Sequence, residues 1–490
     1  MSHLIISKKN EVYLEIESEP HIYYELRDQF QFEVPNAKFS PAYKNKWWDG
    51  KIFMFSINTR QIYIGLLDRV ISFCKNRDYT YEFRENKFYG LPFEINENVS
   101  EEGVKDYVRS ITNLQARDYQ IKGIYECLRF NRKVILSPTG SGKSLMIYSL
   151  VRYYHAKQNN ILIIVPTVSL VTQMYKDFLS YGWNAEDDCH LIYSGHEKDS
   201  DKQVFISTWQ SLHKMPQKYF SKFDCVICDE VHLARAKSIS SIATKLCDAK
   251  YRFGFTGTLD GIEVHKWVLE GLFGPSYKII RTDELMKQGH LSQLNIQCIL
   301  LKHQEKKFDT YEDEIKYLIS HEKRNKFITN LSLKLKGNTL ILFSRVETHG
   351  AILYEKINNN SNGRKVFFVH GGVNAEEREL VREITERENN AIIVASYGVF
   401  STGVNIKNLH NLIFASPSKS RIRNLQSIGR ILRTNSNKNK AVLYDIADDC
   451  SSNSKKNYTL NHFIERVKIY NEENFKYDIV NLELSKQEDN

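Results

Sequence analysis

Nowhere in its 490 residues does this sequence carry an apolar run long enough to cross a bilayer. The longest, such as "ILIIVP" at Ile161 to Pro166, fall far short of the ~20 residues a spanning helix needs. The opening "MSHLIISKKN" lacks the apolar core of a secretory signal, so a cytoplasmic chain with no membrane partner is expected. Cysteine is scarce and scattered. Of eight, only Cys225 and Cys228 share a C-x-x-C spacing that a zinc or redox site would use. They lie in "DCVICDE", which reads as a buried strand, where residues three apart point to opposite faces and cannot chelate one ion. Two small core residues are expected there. Charge is not extreme either: 68 Lys plus Arg against 59 Asp plus Glu leave +9, which favours nucleic acid over acidic metabolites without proving either.

At about 150 residues per domain the length implies about three domains. Residues 1–90 alternate aromatic and polar residues in short runs, with helix-like pieces at "HIYYELRDQF" and "LLDRVISFCKNR", and read as a small α+β module. Residues 91–113 turn acidic and read as a linker whose last part is a helix. From residue 114 to 290 the apolar strands "KVILSP", "ILIIVP", "QVFIST", "DCVICDE" and "FGFTGT" alternate with helix-length segments, the pattern of a parallel sheet with helices on both faces. From 291 to 490 a second such series follows, "TLILFS", "KVFFVH", "AIIVAS", "HNLIFAS" and "KAVLYDI". It ends in a helix with Leu460, Phe463, Ile464 and Val467 on one face, expected to pack on the second domain.

Three stretches carry chemistry. In "SPTGSGKS" the glycines Gly140 and Gly142 let the backbone N–H groups around Thr139 and Ser141 converge on one point, an anion nest at a helix N-terminus. Lys143 would reach the outer phosphates and the Ser144 hydroxyl would hold Mg²⁺. Ser137 stands where the strict phosphate-loop pattern has glycine, so this is a looser variant. In "VICDEVH" the carboxylates Asp229 and Glu230 end an apolar strand, where ligands of parallel sheets bind. Asp229 would order Mg²⁺ while Glu230 orients and deprotonates the attacking water. In "QSIGRILR", Gln426 to Arg433, the arginines Arg430 and Arg433 share a helix face and could act as arginine fingers on the γ-phosphate of ATP bound by the other domain. The domains would then close on ATP and part after hydrolysis, as in a motor.

These residues, in this order, resemble the motifs of the second helicase superfamily, the DEAD and DExH-box group. "RDYQ" with Gln120 resembles its adenine-reading motif. "PTVSLVTQ" with Thr167 and "STWQSL" with Thr208 resemble nucleic-acid contact motifs, and "DEVH" matches the DExH box. "TGT", Thr256 to Thr258, stands in place of the usual Ser-Ala-Thr coupling motif. "ILFSRVETH" with Ser344 resembles the fourth motif, "FSTGVNIKN" with Ser401 and Gly403 the fifth, and "QSIGRILR" the sixth. A closer resemblance, over the whole chain, is to the UvsW-type DNA helicases of T-even-type phages, carried by "WWDGKI", "ATKLCDAKYRFGFTGTL" and "IIVASYGVFSTGVNIKNLH". The resemblance implies an α/β fold of two tandem RecA-like domains behind the N-terminal module. It also implies ATP and Mg²⁺ as cofactors, and helicase action on branched DNA and RNA–DNA loops in recombination, repair and replication.

Two basic segments bear on partners. Between Lys38 and Arg77 there are eight Lys or Arg, including Lys46 and Lys51, against Asp49 and Asp68. Interleaved with Tyr43, Trp47, Trp48, Phe53 and Phe55, they could track a backbone and stack on bases. The favoured expectation is that the tryptophans form the core of a small sheet and the lysines face solvent. The run Lys419 to Lys440 holds seven Lys or Arg and no acid, so Lys419, Arg421 or Arg423 could touch phosphates. A DExH RNA helicase, a restriction-type motor and an ATP-gated strand clamp stay open as alternatives.

Overall fold

In β1 (His3–Lys8) and β2 (Tyr13–Glu17) every second side chain is buried, the period of a half-covered strand. A ribbon of β3 (Gln31–Glu33) and β4 (Lys51–Phe53) follows, then β5 (Gln61–Tyr63) and β6 (Thr80–Arg84). One sheet runs β5-β2-β1-β6, with β1 antiparallel to β2 and parallel to β6. The expected helices, Pro20–Gln29 and Leu67–Asn76, pack Ile22, Leu26, Val70 and Phe73 onto it. The computed structural model describes residues 3–34, 37–193, 195–235, 237–402, 406–416, 418–434, 438–452 and 455–484. Contacts group residues 1–137 with 142–279, and residues 280–490 with the loop 138–141.

The tryptophans depart from expectation. Trp47 is 82% exposed, and Trp48 is half-buried, its Nε1 donating to the Lys51 carbonyl at 2.8 Å. Of Tyr43, Trp47, Trp48, Phe53 and Phe55 only Phe55 is buried. The segment folds as a short helix, Pro41–Lys44, followed by Lys46 in the left-handed region at φ 58°. No strand alternation is there to turn the rings inward.

The module is fixed to the domain that follows it. Gly65 approaches the helix Glu263–Phe273 so closely that a Cβ would lie 1.9 Å from the Glu270 carbonyl oxygen. Beside it Arg69 pairs with Glu270 at 2.8 Å and stacks on Trp267, which meets Phe30 and Phe32 edge-on. Glu11, nearly buried, pairs with Lys8 at 2.9 Å and Arg132 at 2.7 Å.

That domain is a parallel sheet of β7 (Arg132–Leu136), β8 (Ile161–Val165), β9 (Cys189–Ile192), β10 (Val204–Thr208), β11 (Cys225–Asp229), β12 (Tyr251–Thr256) and β13 (Ser276–Lys278). Its order is β13-β7-β12-β11-β8-β10-β9. The central strands were legible as continuous apolar runs because both faces are covered. The short edge strands β9 and β13 carried no such run. Cys225 lies in the cluster on one face and Cys228 in the other, so they are separate core residues. Residues 91–113 are more than a linker: the helix Glu101–Ile111 buries Val104 and Val108 in the first of these clusters.

The second unit is again a parallel sheet: β14 (Gln293–Lys302), β15 (Thr339–Phe343), β16 (Val366–Val369), β17 (Ile392–Ser396), β18 (Asn411–Phe414), β19 (Lys440–Asp449) and β20 (Tyr477–Glu483), ordered β16-β17-β15-β18-β19-β14-β20. The helix Tyr458–Glu472 packs on this domain, but its buried face is rotated from the expected one. Leu460 and Phe463 are buried, Ile464 and Val467 only partly, and the face centres on Thr459, Phe463, Arg466 and Tyr470. Arg466 is buried because Asp445 of β19 takes its charge at 2.8 Å, a pairing invisible to an apolar count. Among the described residues no helix is long and apolar enough to cross a membrane.

Candidate nucleotide-hydrolysis site

Three neighbouring strand ends build the site. β7 runs into the phosphate loop, and the register pairs its last residue, Leu136, with Thr256 at the end of β12. The Ser137 N–H donates to the Thr256 carbonyl at 2.8 Å, which holds the loop's first residue against the "TGT" segment. β11, on the other side of β12, ends in Asp229. Gly140 and Gly142 take φ values of 86° and 82°, conformations that a Cβ would strain. Gly142 then starts the helix Lys143–His155. Ser141 closes the turn, its Oγ donating to the Pro138 carbonyl at 2.6 Å.

Gln120 braces the loop from the helix Asp118–Phe130. Its Oε1 accepts from the Arg117 N–H at 2.8 Å and its Nε2 donates to the Gly142 carbonyl at 3.3 Å. A Cβ at Gly142 would meet that amide nitrogen at 2.3 Å. Ser144, in the first turn of the helix Lys143–His155, has a half-buried side chain.

Lys143 Nζ lies 2.8 Å from Glu230 Oε1 and 3.8 Å from Asp229 Oδ1. The Glu230 N–H donates to Asp229 Oδ1 at 2.9 Å. Glu230 itself sits in the left-handed region, φ 49°, a strained setting of the kind found at functional sites. It turns the side chain toward two further groups. His232 Nδ1 is 3.3 Å from Glu230 Oε2 and 2.8 Å from Thr256 Oγ1, and Thr256 Oγ1 is 3.5 Å from Glu230 Oε2. Burial pushes the Asp229 carboxyl up. Burial would push Glu230 up as well, but the Lys143 charge and the His232 hydrogen bond outweigh it, and Glu230 lies well below the usual carboxylate range. The result is a continuous chain, Lys143 to Glu230 to His232 to Thr256, joining the phosphate loop, the acidic strand end and the threonine motif. The three segments are legible in the sequence as separate motifs, whereas this link is made only in space. The histidine of "DEVH" was its only signal.

The other expected residues fall into separate groups. Thr167 and Thr208 stand at the ends of adjacent strands: Val165 pairs with Thr208, and Gln210 Nε2 reaches the Pro166 carbonyl at 3.4 Å. Thr208 is nearly buried, with its Oγ1 3.0 Å from Ser211 Oγ. In the second unit Ser344 is exposed past the end of β15, its N–H donating to Ser416 Oγ at 3.1 Å. Gln426 and Arg430 are half-buried on the helix Arg421–Ile431, with Arg433 just beyond it. Arg421 is committed elsewhere, pairing with Glu472 and with Glu473 at 3.0 Å. Gly403 and the Ser401 side chain lie outside the described residues. In the N-terminal module Lys46 is exposed, whereas Lys51 Nζ donates to Gln31 Oε1 at 3.2 Å.

Comparison with known proteins bears on all three parts. A family described as "DNA helicase UvsW, N-terminal" matches residues 6–84. "Type III restriction enzyme, res subunit" matches 113–261, and "Helicase conserved C-terminal domain" matches 322–435. The ATP-dependent DNA helicase uvsW of Enterobacteria phage T4 is 36% identical over 497 residues, 95% of this chain and 96% of that protein. The DNA 3'-5' translocase XPB2 of Sulfurisphaera tokodaii is 26% identical over 49% of this chain and 50% of its own length. The crystal structure of T4 UvsW superposes with a TM-score of 0.52 at 33% identity, covering 98% of this chain and all of that one.

Proposed function

The chain belongs to the UvsW family of ATP-dependent DNA helicases, and from that premise we propose that it spends ATP hydrolysis on remodelling branched DNA, such as stalled forks, recombination junctions and RNA–DNA loops. The observation that carries the reading is the chain from Lys143 through Glu230 and His232 to Thr256. When Lys143 turns to the phosphates of ATP, Glu230 loses its cation and stays held by His232 and Thr256, oriented to position the attacking water. ATP binding thus changes the charge balance at Glu230, which Thr256, the residue that stands in the coupling motif, contacts at 3.5 Å. Ser144 and Asp229 are hard oxygen donors of the kind Mg²⁺ takes alongside phosphate oxygens, and that ion would neutralise charge on the phosphates. Gln426, Arg430 and Arg433 serve the γ-phosphate as charge develops on it. Gln120 reads the adenine. Thr167, Thr208, Ser344 and Ser401 line the strand path, with Lys46 and Lys51 gripping duplex arms.

The test is steady-state ATP hydrolysis with no nucleic acid, single-stranded DNA, duplex, a four-way junction and matched RNA, alongside strand separation on the junction. Strongest stimulation by the junction, and its resolution only with hydrolysable ATP, is the expected result. Stimulation by RNA alone, or binding without separation, would replace branched DNA with an RNA substrate or a strand clamp.

A further inference from the structure

The second unit holds a cavity of about 550 Å³ that the hydrolysis chemistry does not use. It opens where the chain leaves β15 and β18 beside the helices Tyr311–Ser320 and Tyr458–Glu472. Its volume lies within the range of small-ligand sites, about 300–1,000 Å³.

Its lining has two characters. Ser344, Ser420, Lys419 and Arg423 contribute hydroxyls and two exposed cations. Arg345 also lines it, but that guanidinium is already held by both Glu312 oxygens at 2.7 and 2.8 Å. Tyr311, Tyr458 and His462 contribute rings: Tyr311 stands 5.1 Å from His462 and 6.3 Å from Tyr458 between centroids, and the two tyrosines are 37% and 40% exposed. Burial, with the charges of Lys419 and Arg466, brings His462 down to about 4, so its ring is neutral near pH 7. Its Nδ1 has no hydrogen-bond partner among the described residues. Cations and hydroxyls suit a phosphate, and neutral aromatic faces suit a base, the combination by which single strands are held.

We propose that this cavity takes one unstacked nucleotide of the bound DNA strand, its phosphate on Lys419 and Arg423 and its base against Tyr311, Tyr458 and His462. The assignment rests on the helicase reading, because Ser344 at the rim is one of the residues placed along the strand path. A strand drawn past this point would give up one base at a time from its stack, which is the state a remodelling motor must create at a branch.

An abasic scan of the full-length chain tests it. In a set of forked substrates whose duplex end fixes the register, each lacking one base in the single-stranded arm, affinity measured by fluorescence anisotropy without ATP is expected to fall roughly five- to 150-fold at one position, the worth of a stacked base. The double variant Tyr311→Ala/Tyr458→Ala should lose that position-specific penalty, while Tyr311→Phe/Tyr458→Phe, which keeps both rings, should retain it. Lys419→Ala/Arg423→Ala should weaken binding at every position and flatten the salt dependence. Circular dichroism checks that each variant is folded. A flat scan in the unaltered protein, a penalty unchanged in the alanine variant, or free deoxyadenosine monophosphate competing as well as the strand would overturn the pocket. DNA that fails to stimulate hydrolysis at all would instead overturn the helicase reading, and the two failures are separately observed.

Discussion

Gly65→Ala is the smallest change that should loosen the N-terminal module from the motor domain. The added carbon would lie 1.9 Å from the Glu270 carbonyl oxygen and 2.9 Å from that of Gly271. An ordinary C···O contact is about 3.3–3.6 Å, and both obstacles are backbone, so no side chain can swing aside. The two segments have to part by more than an ångström. That movement acts directly on the Arg69–Glu270 pair at 2.8 Å and on the Arg69 stack over Trp267 at 4.0 Å. Overpacking of this kind costs about 1–3 kcal/mol. Hydrogen exchange should show it as faster exchange in the helix Glu263–Phe273 and in the turn Ile64–Leu66. If the module grips the arms of a branch, junction resolution should fall more than hydrolysis stimulated by single-stranded DNA. Unchanged protection at Glu263–Phe273 would refute the packing argument. Equal loss of both activities would refute the role assigned to the module.

Lys143→Ala and Glu230→Gln should each lower ATP turnover by about 10²-fold or more while DNA affinity, read by anisotropy, stays within a fewfold; unchanged hydrolysis in Glu230→Gln would remove it from the water-orienting role. Burial, aided by the Arg324 charge and opposed by Asp448, lowers His349 from its ordinary 6.5 to about 3. Between those values the unfolded chain binds the proton and the folded one does not, so stability should fall with acidification from pH 6.5, by about 1.4 kcal/mol per pH unit. In His349→Gln that contribution to the pH slope should vanish in denaturant titrations at pH 4, 5, 6 and 7. Arg466→Met strands the buried Asp445 carboxylate and should cost about 3–5 kcal/mol in chemical unfolding, with Asp445→Asn in the same chain recovering part of the loss.

Much of the architecture was legible because it is written locally. A continuous apolar run such as "ILIIV" is what a strand covered on both faces requires. The glycines of "TGSGK" and the acids closing "VICDE" sit next to the residues they serve. Both parallel sheets, the phosphate loop and the acidic strand end could therefore be read from short windows. Edge strands such as β9 and β13 escaped because they need little apolar surface. Trp47 lies outside that pattern because it follows the left-handed Lys46, at φ 58°, and not a strand that would turn its ring inward.

By itself, then, the sequence determined the order of the elements, the three-part organisation and where the glycine-rich loop and the acidic strand end lie, since each depends on neighbours within a few residues. Only the tertiary structure decided what those groups touch. It joined Glu230 to Thr256 through His232, set Gly65 against Glu270, neutralised Arg466 with Asp445, and assembled the aromatic and cationic cavity from four separate stretches of chain. Such contacts are made across strands and helices, where distance along the chain carries no information about distance in space, and the partner of a charge or a ring is fixed by how the layers pack.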